Sequence, residues 1–383
     1  MRICSPQLGL SPQSILGGEI YDRQILKYFA LSGVEVEVLL PFTKSFESIP
    51  NLHITKIPIP FVIPPHLYNF LVLPQLLDVY NKKAFDILRI HSPTFLGITA
   101  KIFKKIYPQV PIIANYHWLG EGGAIGNWLE PKIISAFDAV ICDSQKTKKD
   151  IENKYSSFSG KVYAVHNGVD EVLRPQPKSK ILIKKLRIPK KATILLFMGL
   201  FIRRKNPTSL LSIMAKLLIN NRNIHLLLCG NGAQKAELEY QIKMNNLQEY
   251  VKIIDPVYGE AKNDLFNIAN IFVHPALNEG FSLSVIEAMA CGLPILITRG
   301  FSAQEAITHG INGYLCSSEN EWLKYLNLLI NNQSLVRNIR HANLAKVKKQ
   351  FRWNISGKKQ LASFMSTLSN KKIERNHRSC ISI

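Results

Sequence analysis

Six cysteines stand in 383 residues, and no two of them form a Cys-x-x-Cys pair. That spacing argues against a zinc ribbon and a thioredoxin-type redox site, and isolated cysteines inside apolar runs fit a reduced compartment. Asp-x-Asp, a common means of holding a divalent cation on a diphosphate, is also absent. Gly230-x-Gly232 lacks the third glycine of the dinucleotide fingerprint, which disfavours a dehydrogenase. Long apolar runs are missing too. The most apolar stretch, ATILLFMGLFI at 192–202, falls well short of the roughly 20 residues a bilayer span needs. The N-terminal MRICSPQLGLSPQ has no long apolar region of the signal-peptide kind. A soluble, cytoplasmic protein is expected, with peripheral attachment to the inner membrane face as the furthest step toward a membrane.

Acidic residues are scarce as well: 27 Asp and Glu face 48 Lys and Arg, a formal net charge of +21. Such a balance attracts polyanions, whether nucleotide phosphates, nucleic acid or an anionic membrane face. Solubility and a compositional bias of the source account for it equally well. What is plentiful is the short apolar run. EVEVLLP at 35–41, FDILRIH at 85–91, VPIIANYH at 110–117, DAVICDS at 138–144 and KVYAVHN at 161–167 read as strands. So do TILLFMG at 193–199, HLLLCG at 225–230, VKIID at 251–255, IFVHP at 271–275 and LPILIT at 293–298. Continuous rather than alternating apolarity predicts parallel strands buried on both faces. Amphipathic helices separate many of them, such as 21–33, where Gly33 is placed to end the helix.

Strand–helix repetition in both halves of the chain predicts an α/β protein of two doubly wound, Rossmann-like domains. The boundary is expected within 170–191, a stretch with three prolines and eight Lys or Arg. A solvated linker with one short basic helix explains that stretch better than a nucleic-acid site. Residues 57–77 are apolar but interrupted by prolines, so one long helix is not expected there. They read as a packed connection or as a surface that shapes an acceptor pocket or touches a membrane. The tail 371–383 is basic and expected to fray.

The chemistry concentrates in HPALNEGFSLSVIEAMACGLPILIT at 274–298. A strand ends at His274-Pro275, a turn follows, and a helix is expected from about Ser282 to Cys291. Strand–loop–helix units aim helix N–H groups at the carboxyl edge of a sheet, where phosphates bind. Ser284-x-x-Glu287 matches a capping box, which by itself would account for Glu287. It does not account for Glu279, eight positions earlier in the loop. Two carboxylates facing one cleft suit the vicinal hydroxyls of ribose and hexose. Arg204 and Lys205, after another buried strand, place two cations where a departing diphosphate needs neutralising. Gly17-Gly18 ahead of a helix lets backbone N–H groups approach phosphate, or simply makes a turn.

Taken together these segments resemble the retaining glycosyltransferases of family 4, also called group 1, with the GT-B fold. The E-x7-E pair Glu279/Glu287, Gly17-Gly18, HNGVD at 166–170, GLFIRRKNP at 199–207, LLLCGNGAQ at 226–234 and QEAITHGINGYL at 304–315 carry the likeness in the family's order. The resemblance implies two Rossmann-like domains facing across a cleft: 1–174 on the acceptor side, completed by a C-terminal helix at 352–370, and 175–351 on the nucleotide-sugar side. It implies catalytic roles for His117, Glu279, Arg204 and Lys205. Donor contacts would come from Gly17, Gly18, Gly199, Asn206, Gly230, Gly280, Phe281, Ser282 and Glu287. The expected reaction is metal-independent transfer of a hexose, with retention, from a nucleotide-sugar donor to a glycan or lipid-linked acceptor in cell-surface polysaccharide or glycolipid synthesis. No cofactor and no metal are expected, the nucleotide-sugar being a substrate. An anionic membrane surface is a further expected partner, and nucleic acid is not. Leu200 departs from the family, many of whose members have Arg there. That departure keeps open a catalytically silent scaffold of the same fold, and charge alone keeps open a nucleic-acid-binding protein.

Overall fold

A computed structural model describes residues 1–11, 14, 16–59, 67–117 and 123–381; the side chains of 123, 125 and 372–381 lie outside that description. The chain divides into two compact units, Met1–Asn167 with Trp353–Ile383, and Gly168–Arg352. The first contains β1 (Arg2–Pro6), α1 (Gly17–Leu31), β2 (Glu35–Pro41), β3 (Leu52–Ile57), α2 (Tyr68–Lys82) and β4 (Ile87–His91). It continues with α3 (Pro93–Ile106), β5 (Ile112–Tyr116), α4 (Gly123–Ile133), β6 (Ala139–Cys142), α5 (Gln145–Lys154) and β7 (Val162–Ala164). The second holds α6 (Lys180–Lys185), β8 (Thr193–Met198), α7 (Ser209–Asn220), β9 (Ile224–Cys229), α8 (Lys235–Met244), β10 (Val251–Ile254) and α9 (Gly259–Ile268). Then come β11 (Ile271–His274), α10 (Leu283–Ala290), β12 (Ile295–Thr298), β13 (Gly313–Cys316), α11 (Glu319–Asn331) and α12 (Gln333–Gln350). The last helix, α13 (Trp353–Ile381), belongs to the first unit, where Phe364 packs on Phe29 of α1 with ring centroids 5.4 Å apart.

The first sheet is parallel with order β3-β2-β1-β4-β5-β6-β7, and the second is parallel with order β10-β9-β8-β11-β12-β13. Each is a doubly wound sheet whose strand order reverses once, between β1 and β4 and between β8 and β11. The continuous apolar runs follow from burial on both faces. In β1, Ile3 feeds the core under α1 and α13, and its neighbour Cys4 feeds the core under α2, α3 and α4. In β8, Leu196 faces one core and Leu195 and Phe197 the other, and Phe272 and Val273 divide in the same way. Every position of such a strand is interior, so alternation disappears.

Three strands lack a continuous apolar run. β1 carries Ser5 and Pro6, β3 (LHITKI) is an edge strand with partly exposed middle residues, and β13 has four residues beginning with glycine. The unit boundary falls at Asn167/Gly168, seven residues before the expected 174. Val169 already bridges to Arg352 and Leu173 is in the second core, so the chain joins the second domain before its prolines. Pro74 lies within α2 rather than ending it. Of 57–77, residues 60–66 lie outside the described set, as do the side chains of the tail beyond 371.

One close approach ties the second sheet's edge together. A Cβ on Gly230, just after β9, would stand 1.9 Å from the carbonyl oxygen of Gly199, just after β8. Only glycine lets these two turns meet. Gly230→Ala is expected to destabilise the second domain by about 1–3 kcal/mol through overpacking, read as a lower midpoint in urea unfolding.

Candidate active site

In the second domain the site forms where the strand order reverses. The chain leaving β8 makes a single 3-10 turn at Arg203–Lys205, closed by Asn206 in the left-handed region (φ 51°). Asn206 thus contributes backbone geometry. Beside it, β11 ends at His274, and Leu277 N–H donates to the Arg204 carbonyl at 2.9 Å, stitching the two loops. Glu279 lies in this cradle with both oxygens engaged. Lys205 Nζ donates to Oε1, Arg204 Nη1 stands 3.8 Å from the same oxygen, and His274 Nε2 is 2.6 Å from Oε2.

Burial alone would raise the Glu279 carboxyl, but Lys205 and His274 more than offset it and hold it at about 2. An ionised carboxylate only accepts, so His274 donates from Nε2. Burial keeps the His274 imidazole below its ordinary value despite Glu279, and lowers Lys205 in the same way.

Glu287 has a different partner from the one its spacing suggests. The N-cap of α10 is Ser282, whose hydroxyl meets Ser284 Oγ at 3.2 Å rather than capping a backbone N–H. Ser284 is already inside the helix, so the expected capping box does not form. Glu287, more than a turn in and buried, receives Lys262 Nζ of α9 at 2.6 Å. Gly280, Phe281 and Ser282 are buried and lead into α10, with Phe281 against Phe351 at 5.6 Å between ring centroids. Gly199 and Gly230 form the adjoining turns described above.

The first domain repeats the construction. Gly17 and Gly18 are not a loop before the helix but its first turn, since α1 begins four residues earlier than its apolar pattern predicts. Arg89, in the interior of β4, is fully buried and donates to Asp22 Oδ1 at 2.5 Å and to Ser5 Oγ at 3.2 Å. His91 Nδ1 is 2.9 Å from the other Asp22 oxygen, close in distance though off the hydrogen-bond axis. Burial opposes ionisation of Asp22, yet Arg89 and His91 bring it down to about 2. His117, after β5, stands 3.3 Å from Asp143 and packs edge-on to Tyr21. A Cβ on Gly18 would lie 3.1 Å from His91 Nε2 and 3.8 Å from His117 Nε2, so two imidazoles border the glycine turn.

The expected residues therefore gather in two groups, Glu279, Lys205, Arg204 and Glu287 in one domain, and His117 with Gly17 and Gly18 in the other. His274, Lys262, His91, Asp22 and Asp143 are not among the residues that sequence alone singles out. A signal existed for three of them, because His274, His91 and Asp143 directly end or follow strands, as His117 does. Lys262 and Asp22 sit inside amphipathic helices, where charge reads as solvated surface. Among the described residues no three His, Cys, Asp or Glu side chains gather as a metal site requires.

Two family models match successive parts of the chain: Glycosyltransferase Family 4 at residues 15–172, and Glycosyl transferases group 1 at 178–346. The chain is a group 1 glycosyltransferase. This glycosyltransferase has the GT-B fold, as its match to solved structures shows. The sucrose-phosphate synthase structure from Thermosynechococcus elongatus matches with a TM-score of 0.81 at 19% identity, over 96% of this chain and 99% of that one. HepE of Anabaena, in complex with UDP-glucose, matches with a TM-score of 0.79 at 18% identity, over 96% and 100%. A D-inositol 3-phosphate glycosyltransferase of Streptosporangium roseum is 23% identical over 354 residues, covering 82% of this chain and 80% of its own.

The buried pairs of this glycosyltransferase fix its response to substitution and to acid. Asp22→Asn leaves Arg89 buried without its counter-charge and is expected to cost about 3–5 kcal/mol in urea unfolding. Asp22 and Glu279 lie at about 2, below their ordinary values of 3.8 and 4.5. Groups held low stabilise the fold above their unfolded values and lose that contribution as pH falls through the folded ones. Stability should fall from about pH 4.5 to about 2, and Glu279→Gln should flatten that fall in a pH series of thermal melts.

Proposed function

We propose that the enzyme transfers a hexose from a nucleotide-sugar donor, with retention at the anomeric carbon and without a metal, to a glycan or lipid-linked acceptor in cell-surface polysaccharide or glycolipid synthesis. The observation that carries the reading is the Glu279 clamp at the carboxyl edge of the second sheet, with Glu287 just over one turn into the helix that follows. In this reading Glu279 accepts hydrogen bonds from hexose hydroxyls and Glu287 from the ribose. Arg204 and Lys205 turn from Glu279 toward the diphosphate as it leaves, stabilising charge that develops only in the transition state. Arg204 takes the place of the contact that Leu200 cannot make. The N–H groups at the start of α10 complete the donor site. UDP-glucose in the HepE structure makes UDP-sugars the first donors to try.

His117 would contact the transferred sugar and its acceptor, with Asp143 fixing its ring. The acceptor reading draws on Leu67, Phe70 and Leu71, which are 44, 65 and 41% exposed. They lie at the start of α2, which leaves an edge strand and so begins at the carboxyl edge of the first sheet. An apolar surface there suits a lipid-linked acceptor and a peripheral position at the inner membrane face.

A thermal-shift screen across UDP-, GDP- and ADP-sugars, with and without a chelator, is expected to single out one donor class whose stabilisation survives chelation. With that donor, Glu279→Ala should lower sugar transfer or donor hydrolysis by at least about a hundredfold, the scale of losing a transition-state contact. NMR of the product's anomeric proton tests retention. No shift with any nucleotide-sugar, or an inverted product, would overturn the reading.

A further inference from the structure

The second domain carries a cluster of cations that the donor site does not use. No Asp or Glu occurs between Glu171 and Glu237, a stretch of 65 residues. Within it, Lys180, Lys184, Lys185, Arg187, Lys190 and Lys191 are all exposed. No ion pair joins any of these six to a carboxylate of the described residues. Lys178 behaves differently: its Nζ donates to the Ile268 carbonyl and to Asn270, so it is spent on structure.

Short α6 is anchored by one side only. Leu182, Ile183 and Leu186 pack against the core and Ile188 is buried within it. Ile181 points the other way, 83% exposed, with Lys184 and Lys185 three and four residues on as its helix-surface neighbours. The helix ends in a Schellman motif, with Arg187 N–H donating to the Lys184 carbonyl and Ile188 N–H to that of Ile183. The left-handed position of that motif is filled by Arg187 (φ 52°) and not by the usual glycine. The chain therefore carries a strained backbone and an uncompensated cation at one residue, within a cluster that repels itself. Folding gains from neither.

We propose that α6 and its flank, 180–191, dock on an anionic lipid bilayer, with the cations on the headgroups and Ile181 inserted between them. Charge complementarity selects an anionic partner, and the exposed isoleucine selects a bilayer among anionic partners. A single-stranded nucleic acid is the other polyanion to weigh. Such surfaces interleave their cations with aromatic rings on which bases stack, and no aromatic residue occurs between 172 and 196. The proposal rests on the peripheral-attachment reading and deepens it by adding an electrostatic surface in the second domain to the apolar one at the start of α2. It is measured without donor or acceptor, so its failure leaves the transferase reading standing, and a silent transferase assay leaves this one standing.

The test is co-sedimentation of the full chain with vesicles of phosphatidylcholine alone or with about 30% phosphatidylglycerol, in about 0.1 M salt. Wild-type protein should sediment with the anionic vesicles and not the neutral ones, and high salt should release it. At about fivefold per cation, the quadruple variant K180Q/K184Q/K185Q/K190Q should lose more than a hundredfold in affinity. Its melting temperature should stay at or above that of wild type, since none of the four has a carboxylate partner. Ile181→Ser should weaken binding about tenfold with all cations kept. Equal binding to both vesicle types would overturn the proposal, as would wild-type affinity in the quadruple variant. So would binding to a single-stranded oligonucleotide that anionic vesicles fail to displace.

Discussion

A charge inside a two-sided parallel sheet has to bring its own partner, and Arg89 is that charge. It lies in the interior of β4 with no exposure, where an unpaired guanidinium would cost several kcal/mol. The carboxylate that answers it comes from α1, so the pair fixes how α1 sits on the sheet. Everything on that helix follows: Tyr21 lies beside the ring of His117, and Gly18 comes against His91. Two glycines are poor helix formers, yet they are the opening turn of α1 because the packing of that helix outweighs their propensity.

The same economy of partners appears in the second domain. Glu279 spans a cation and a histidine, as Asp22 does, and both carboxylates are drawn to about 2 against the pull of burial. In each case the histidine ends a strand at the point where the strand order reverses, and in each case one carboxylate joins two cationic or donor groups, both from β4 for Asp22 and from two adjoining segments for Glu279. What differs is exposure. The Asp22 pair is sealed, and its function is to hold α1. The Glu279 group keeps Arg204 partly open, so a ligand can compete for the cations. In the proposed reading the open group is the one a substrate enters, and the sealed pair only positions the helix.

This difference also explains what could be read from the residues alone. Ten strands were legible because burial on two faces leaves long apolar runs, and candidate sites at their ends were legible because strand ends offer polar groups more room than strand interiors do. Glu279 stood out for that reason. β3 and β13 were hidden by edge position and brevity, and β1 by Pro6. Glu287 was visible, but its partner was not: Ser284 offers a capping box in sequence, and the helix begins two residues too early for it. Lys262 lies 25 residues before Glu287, on another helix, and only tertiary structure brings them to 2.6 Å. Arg89 was legible as a strand residue and illegible as a buried charge, because nothing in β4 announces Asp22.

The excess of positive charge is where composition was least informative, and the structure divides it. Arg89, Lys205 and Lys262 each have a carboxylate and are largely withdrawn from water. The cations of 180–191 have none and stand in water on a helix whose other side is apolar. A net charge of +21 therefore hides populations with different physics, exposed pairs such as Lys27–Glu47 and Lys82–Asp78 standing between these two extremes. The first costs desolvation and is repaid by pairing and hydrogen bonds. The second costs mutual repulsion, and nothing within the fold repays it. Screening in about 0.1 M salt reduces that repulsion between exposed charges without removing it. A partner that brings negative charge would turn the same repulsion into attraction, which makes the unpaired cluster, and not the total, the informative part of the composition.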